Sequence, residues 1–377
     1  VYNAAAGGKL TLEGAEEFGD AVGVVDAGGE LALRVALGVN DKSYLLENKV
    51  TGAGTFSVDL GVPSDGYALT DVDNQFNIST GVADTMSAEG GFTGTLALTN
   101  ARLRIQDVAS SAQAPEGNYA EKALANAMLE IGAGSRVMVS ENDPFAGSKT
   151  YHEIGGLSFS QDSGAKGTLR LGEDRAVVIG GTDNNPLLHV KTLDASGNGV
   201  IEINIDDDAF TGDGHNAAGT QEKYHSLLDQ DDGDLLSQLV RATDDVVGTA
   251  GNLELRFMHD GEVVKDAGDS QTGDEDPSKP VIKDSLAKIH QIDGGSDTVV
   301  AVGHYGYRAS VYDDNGTTSG ENSNNGIWLA YGLKQVDIQG GQTLVLTPGS
   351  AGRPGSSDFN AQITEVQYAF DADGSIV

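Results

Sequence analysis

Cysteine is absent from all 377 residues. That excludes disulfide staples, thiolate metal sites and cysteine nucleophiles. Basic residues are scarce: 23 Lys and Arg stand against 57 Asp and Glu, for a formal charge of −34. Such a chain repels phosphate, so no nucleic-acid contact is expected, and an anionic membrane surface is disfavoured for the same reason. No apolar run approaches the ~18–20 residues of a membrane helix, so no membrane insertion is expected. Aromatic residues make up 6% of the chain, and there is one tryptophan. The start, Val1-Tyr2-Asn3-Ala4-Ala5-Ala6-Gly7-Gly8, has neither a basic n-region nor an apolar h-region. It reads either as a cytosolic product that has lost its Met or as a chain whose leader has been cut away.

What the chain does have is glycine, 52 residues of it, about double the usual share. Much of it sits in a repeated unit, Gly-x-Leu-x-Leu. The unit occurs at Gly8–Leu12, Gly29–Leu33, Gly94–Leu98, Gly167–Leu171 and Gly251–Leu255, with a longer form at Gly341–Leu346. A glycine turn followed by apolar residues at period two is how a half-buried strand begins. Asp outnumbers Glu by 38 to 19, the bias of many short connections, since an Asp carboxylate accepts from nearby backbone N–H groups. A dense carboxylate shell also suits salty water.

The coarse reading is a mainly β chain in four parts. Residues 1–112 form an N-terminal β domain, with strands expected at 9–12, 30–37, 55–62, 66–70 and 93–108. A slip in the alternation at Thr99-Asn100 marks a bulge or tight turn. In 113–205 a helix is expected over Tyr119–Ile131, from the spacing of Ala120, Leu124, Ala127, Met128 and Ile131. Strands follow at 136–140, 151–160, 167–171, 175–179, 187–192 and 200–205. Residues 206–284 form an acidic insertion or linker, with a helical segment from Leu235, Leu236, Leu239 and Val240 to Val246. Residues 201–300 carry a net charge of −16. A C-terminal β domain spans 285–377, with strands expected at 298–303, 305–312, 327–338, 343–347 and 361–370.

The strand-start units begin at 8, 29, 94, 167, 251 and 341, with no constant period. A solenoid calls for a near-constant one. Two or three β-sandwich or jelly-roll-like units with a few short helices are therefore expected, the alternative being a partial β-solenoid in 91–192.

No motif for catalysis stands out. There is no GxSxG elbow, no HExxH and no P-loop; in Gly147-Ser148-Lys149-Thr150 a residue separates Gly from Lys. The seven histidines, His152, His189, His215, His225, His259, His290 and His304, stand singly. Carboxylate pairs suited to glycoside hydrolysis arise everywhere by number alone, so no catalytic residue is named. Clustered hard oxygens at Asp206, Asp207, Asp208 and Asp213 (with Asn216), and at Asp229, Asp231, Asp232 and Asp234, are candidate calcium ligands. Neither cluster has EF-hand spacing, and a solvated acidic loop is the simpler reading of both. Tyr305, Tyr307, Tyr312, Trp328 and Tyr331 form either a ligand or partner face, glycans included, or the core of the last β unit. A both-faces-apolar run at Ile327–Leu333 predicts a covered strand with Trp328 buried, paired in a hairpin with 342–347.

The functional expectation is a non-enzymatic structural protein of an external assembly that contacts copies of itself and other subunits. A virion coat, decoration or fibre component comes first. A surface-layer or extracellular filament or adhesin subunit is second, and a carbohydrate-binding or polysaccharide-cleaving protein third.

Overall fold

A computed structural model describes residues 1–14, 21–37, 42–61, 73–106, 119–140, 151–161, 164–172, 187–204, 235–248, 252–259, 262–263, 285–293, 296–313, 319–320, 323–338, 340–341 and 366–367. The chain is mainly β, and it winds. The first turn of the winding holds β1 (Tyr2–Ala4) and β2 (Lys9–Glu13). The second holds β3 (Gly23–Val25), β4 (Glu30–Arg34) and β5 (Ser43–Leu46), the third β6 (Val50–Gly52), β7 (Thr55–Asp59) and β8 (Gln75–Ile78). In the fourth and fifth turns a helix stands where the first strand had been: α1 (Thr80–Ser87) before β9 (Thr95–Thr99) and β10 (Arg102–Ile105), then α2 (Ala120–Ala123) before β11 (Met128–Ile131) and β12 (Arg136–Val139). Three further turns use β13 (His152–Phe159) and β14 (Gly167–Leu171), β15 (Leu188–Asp194) and β16 (Gly199–Asn204), and β17 (Leu235–Val247) and β18 (Leu253–His259).

Equivalent strands stack in parallel ladders. One sheet runs β2-β4-β7-β9-β11-β13-β15-β17, a second runs from β5 and β8 through β10, β12, β14 and β16 to β18, and a third is β1-β3-β6. This is a parallel β-solenoid reaching from the first described residues to His259, well beyond 91–192. The expected sandwiches are not what the ladders form. The corners explain why: Asn100 (φ 52) and Ala101 carry β9 into β10 without reversing the chain, so each strand meets its equivalent one turn on, not its neighbour in sequence. The slip read at Thr99-Asn100 is this corner.

The missing period has a physical cause too. Leu10, Leu31, Phe56, Leu96, Leu129, Leu157, Leu193 and Val246 share one register column. Turn length therefore varies from 21 residues, Leu10 to Leu31, to 53, Leu193 to Val246. Excursions leave at corners without disturbing the stack. The Gly-x-Leu-x-Leu units mark β2, β4, β9, β14 and β18, three in one sheet and two in the other, and skip the strands between.

The leading glycine of the unit is set by this stacking. A Cβ on Gly94 would lie 1.8 Å from the Gly54 carbonyl oxygen of the preceding turn, and one on Gly167 would lie 2.3 Å from that of Ile131. Inside, columns of Leu, Ile, Val and Phe fill the space between the sheets, and Phe56, Phe76, Leu96, Leu129, Leu169 and Ile201 are fully buried. Side-chain columns of this kind are the energy source of a solenoid, because each turn buries its apolar face only against the next.

Two expected helices are corrected. Of Tyr119–Ile131 only Ala120–Ala123 is helical, while Met128–Ile131 is β11, paired with both β9 and β13. The segment from Leu235 to Val247 is β17, not a helix, and it pairs with β15. In both, ladder partners on the two edges override an i, i+3, i+4 pattern. Helix α1 had no counterpart among the expected elements; Val82, Ala83 and Met86 form its buried side.

Beyond β18 lie a short β19 (Glu262–Val263) and an antiparallel meander of β20 (Ser285–Asp293), β21 (Ser296–Tyr312) and β22 (Gly326–Ile338), with β23 (Val366–Gln367) beside β20. Strand β22 pairs antiparallel with β17, so one twelve-stranded sheet contains both solenoid and meander. The candidate strands 66–70, 175–179 and 343–347, and the hairpin partner 342–347, lie outside the described residues.

Candidate functional surface

The outward face of the β5-to-β18 sheet collects arginine. Arg102 pairs in register with Arg136, and Arg170 with Glu202 and then Arg256. Arg104 shares the face two residues from Arg102. Five of the ten arginines of the chain are thus brought by winding to one surface, in a protein otherwise dominated by carboxylates. Alternation requires it: the intervening Leu103, Val137, Leu169 and Ile201 are buried in the core.

Glu202 is the hub. Its side chain is 3% exposed and meets Arg170 Nε at 3.0 Å, Arg136 Nη2 at 3.4 Å and Arg256 Nη1 at 4.0 Å. One carboxylate therefore ties together four successive turns. Arg102 donates from Nη1 to the Gly134 carbonyl at 2.7 Å. Glu254 takes Arg256 Nε at 2.7 Å and Lys166 Nζ at 3.5 Å. Partial burial pushes the Glu254 carboxyl up, but hydrogen bonds and charge from Arg256 and Lys166 outweigh it and hold it below the ordinary range. The centre of this face is buried even though it points away from the core: Met138 and Val200 are out of water beside Glu202 and Arg170, while Arg256 and Glu254 at its edge stay partly exposed.

The other long sheet presents hydroxyls and small side chains outward, among them Thr55, Ser57, Thr95 and Thr99. At its first turns, Lys9 Nζ meets Glu30 at 2.8 Å and Arg34 meets Glu13 at 3.9 Å, while Ser57 Oγ donates to Glu30 at 2.7 Å. Burial raises the Glu30 pKa, and these donors and the charges of Lys9 and Arg34 more than reverse it. A corner ladder joins the two sheets. Asn74 Nδ2 lies within reach of the carbonyls of Leu60, Gly61 and Asn100 at 3.3, 2.9 and 2.8 Å, and Asn100 Nδ2 donates to Asp59 Oδ1 at 3.0 Å.

Of the predicted aromatic group, the side chains of Trp328 and Tyr312 fall among the described ones. Trp328 is buried at 6% exposure, and its indole N–H donates to the Asn324 carbonyl at 2.7 Å. The expected covered strand is thus present at that end of β22. Tyr312 is 38% exposed at the end of β21. Tyr307 stands opposite Tyr331, and Tyr305 opposite Leu333, in the β21–β22 register. The candidate calcium ligands Asp206, Asp207, Asp208, Asp213, Asp229, Asp231, Asp232 and Asp234 lie outside the described residues. Among the described residues no group of three or more His, Asp or Glu is arranged to hold a metal, and no helix is long and apolar enough to cross a membrane.

The arginine face was not found from sequence. The signal was present as Arg at alternate positions in Arg102-Leu103-Arg104, and in Arg170 and Arg256 of two Gly/Asn-led units, but it emerges only once the register between turns is known.

Comparison with known proteins gives one partial likeness. The chain is 32% identical over 138 residues to the uncharacterized lipoprotein YdeK of Escherichia coli strain K12. The match takes in 37% of this chain but only 8% of that protein's length. No known family matches the chain, and no solved structure matches it.

Proposed function

We propose that this chain is a non-enzymatic structural segment of a cell-surface assembly, a stiff β-rod in a surface-layer, filament or adhesin-type protein. The observation that carries the reading is the unbroken twelve-stranded sheet. At the ~4.8 Å between neighbouring strands, twelve strands span roughly 50 Å along one axis. A solenoid gains length by adding turns and keeps the same cross-section, so it suits a protein whose work is to project or to line up with copies of itself. Outward hydroxyl rows and inter-turn ion pairs give that rod a hydrated, acidic side, a surface for other subunits or for glycans.

The cell-surface setting is preferred to the virion setting because the partly similar protein is named a lipoprotein. Both settings use the same rod, and they are separated by where the chain is found. Proteinase treatment of intact source cells, followed by detection of the chain, should remove it from the outside of the cell. Recovery only in purified particles, or only in the cytosol of untreated cells, overturns the envelope reading. Negative-stain images of the purified chain should show a rod; round particles with no long axis overturn the structural reading itself.

A further inference from the structure

Where α2 replaces a strand on the third side of the solenoid, its attachment runs through a histidine with no exposed surface. His152, the first residue of β13, is fully buried. Its Nε2 lies 2.8 Å from the Ser140 carbonyl oxygen and its Nδ1 lies 2.8 Å from Glu121 Oε2 in α2. The other oxygen, Glu121 Oε1, accepts the Glu153 backbone N–H at 3.0 Å.

These contacts fix a proton count. A carbonyl oxygen only accepts, so Nε2 carries a hydrogen. An ionised carboxylate also only accepts, so Nδ1 must carry a hydrogen as well; otherwise Glu121 is protonated and donates to a neutral ring. A neutral ring with its Nδ1 lone pair facing an ionised carboxylate at 2.8 Å would set two acceptors against each other without water to separate them. Either permitted arrangement holds one proton more than a neutral imidazole plus a carboxylate, and either leaves the pair with no net charge. The contact is therefore a latch that closes only with its proton.

We propose that Glu121 and His152 share one proton that fastens α2 and the chain around it to the sixth turn of the solenoid, and that loss of this proton unfastens that side. The latch is placed to matter: α2 packs against α1, β8, β10 and β13, and covers the core with Ala120, Ala123 and the following Leu124.

Other charged and titratable groups surround it without replacing it. Lys122 of α2 pairs with Asp84 of α1. Tyr151 and Glu153 flank the histidine, and the Tyr151 ring stacks on His189 of β15 at 3.5 Å. Lys191 of β15 donates to the Ala125 carbonyl at 3.0 Å and to Asn126 Oδ1 at 3.1 Å. Arg102 and Arg104 of β10, Arg136 of β12 and Glu130 of β11 lie on outward faces of their sheets. None of these supplies a donor or acceptor to the His152 ring in place of Glu121 or Ser140 in the contacts above.

The test exchanges the acceptor for a donor. Glu121→Gln keeps an oxygen for the Glu153 amide and offers an N–H to Nδ1 of a neutral His152, so its latch closes without the extra proton. Amide exchange is followed at Ala123 and Leu124, whose N–H groups donate to Tyr119 O and Ala120 O at 3.0 and 2.9 Å. The full chain is measured from pH 6 to 9, above the range where ordinary carboxylates titrate, with intrinsic exchange rates divided out. The unaltered chain should lose protection there by up to about tenfold per pH unit, the slope of one-proton linkage, while Glu121→Gln stays flat. Flat protection in the unaltered chain, or an equal decline in both, overturns the proposal. Should Glu121→Gln not fold, nitrogen and carboxyl NMR shifts of the unaltered chain at pH 6 decide: a singly protonated His152 ring beside an ionised Glu121 overturns it, and a doubly protonated ring or a protonated Glu121 sustains it.

Discussion

The solenoid and the meander are two ways of extending one sheet. On one edge of β17 lies β15, parallel, from the preceding turn; on the other lies β22, antiparallel, reached after an excursion of about 80 residues. In the solenoid each strand sits on a core column shared with the turns before and after, and two sheets meet across it. In the meander β20, β21 and β22 follow one another directly, held by long hairpin-like ladders with nine or more pairs each. Stability in the first should depend on stacked apolar columns, and in the second on pairing and on how β22 is anchored to β17. Following parallel turns with antiparallel strands also changes the direction in which successive strands of the one sheet pair.

The largest effect should come from the solenoid core. Phe56 is fully buried between Leu31 and Leu96 in its column. Phe56→Ala should cost about 3–5 kcal/mol, and because each turn is supported only by its neighbours the loss should spread through adjoining turns. Chemical denaturation followed by far-UV circular dichroism checks the size. Hydrogen exchange shows the spread; exchange confined to β7 would contradict the nearest-neighbour picture.

Trp328 tests the junction. It stands opposite Gln238 of β17 and Ser310 of β21, so Trp328→Ala removes packing at the point where the two regions join. A loss of about 3–5 kcal/mol is expected, with β20–β22 released before the solenoid. As the one tryptophan of the chain, it also reports by itself: emission in the native protein should be blue-shifted and poorly quenched by iodide. Emission typical of exposed indole would remove the anchor.

Glu202 tests whether charge, as well as apolar packing, joins the turns. Replacing it with Ala leaves Arg170, itself 10% exposed along its side chain, facing the emptied site. The expected cost is about 3 kcal/mol, the order for removing one partner of a buried ion pair. The double change Glu202→Leu with Arg170→Met should recover much of that loss, since a buried ion pair exchanged for apolar groups of similar size is often neutral. If the double variant is no better than the single one, the arginine face holds the turns by specific pairing that packing cannot replace.

Strand positions were legible because they obey local rules. The Gly167–Leu171 unit is β14 residue for residue, and the apolar alternation in Thr95–Thr99 and Glu30–Arg34 follows from one side facing the core. How strands meet was not legible. The unit at Gly54-Thr55-Phe56-Ser57-Val58 has Phe and Val in place of Leu, so a search for leucine skipped that turn and doubled the apparent spacing. The two failed helices share a cause: Met128–Ile131 and Leu235–Val247 are runs whose conformation is decided by ladder partners 28 to 95 residues away. The His152–Glu121 contact was equally hidden, because 31 residues separate its members and neither belongs to a motif.

The smallest expected effect concerns the outward face at the first turns, and it separates surface charge from the buried pairing at Glu202. Glu30 receives Lys9 and Ser57, and its folded-state pKa lies below the ordinary carboxylate value. A depressed acid pKa means that the folded state holds the proton less tightly than the unfolded chain. The stabilising contribution is therefore full above about pH 4.3 and fades as pH falls through the lowered value. Because Lys9 and Glu30 are both substantially exposed, screening keeps the contribution under about 1 kcal/mol. Glu30→Gln should lower thermal stability slightly at pH 6, and the difference from the unaltered chain should shrink as pH falls through the lowered Glu30 pKa. It should also shrink in 1 M salt, where the screening length falls to about 3 Å. The Glu202 change should keep most of its cost in the same salt, because Glu202 and its nearest partner, Arg170, are both buried. Equal salt sensitivity for the two variants would show that the arginine face behaves as an open surface.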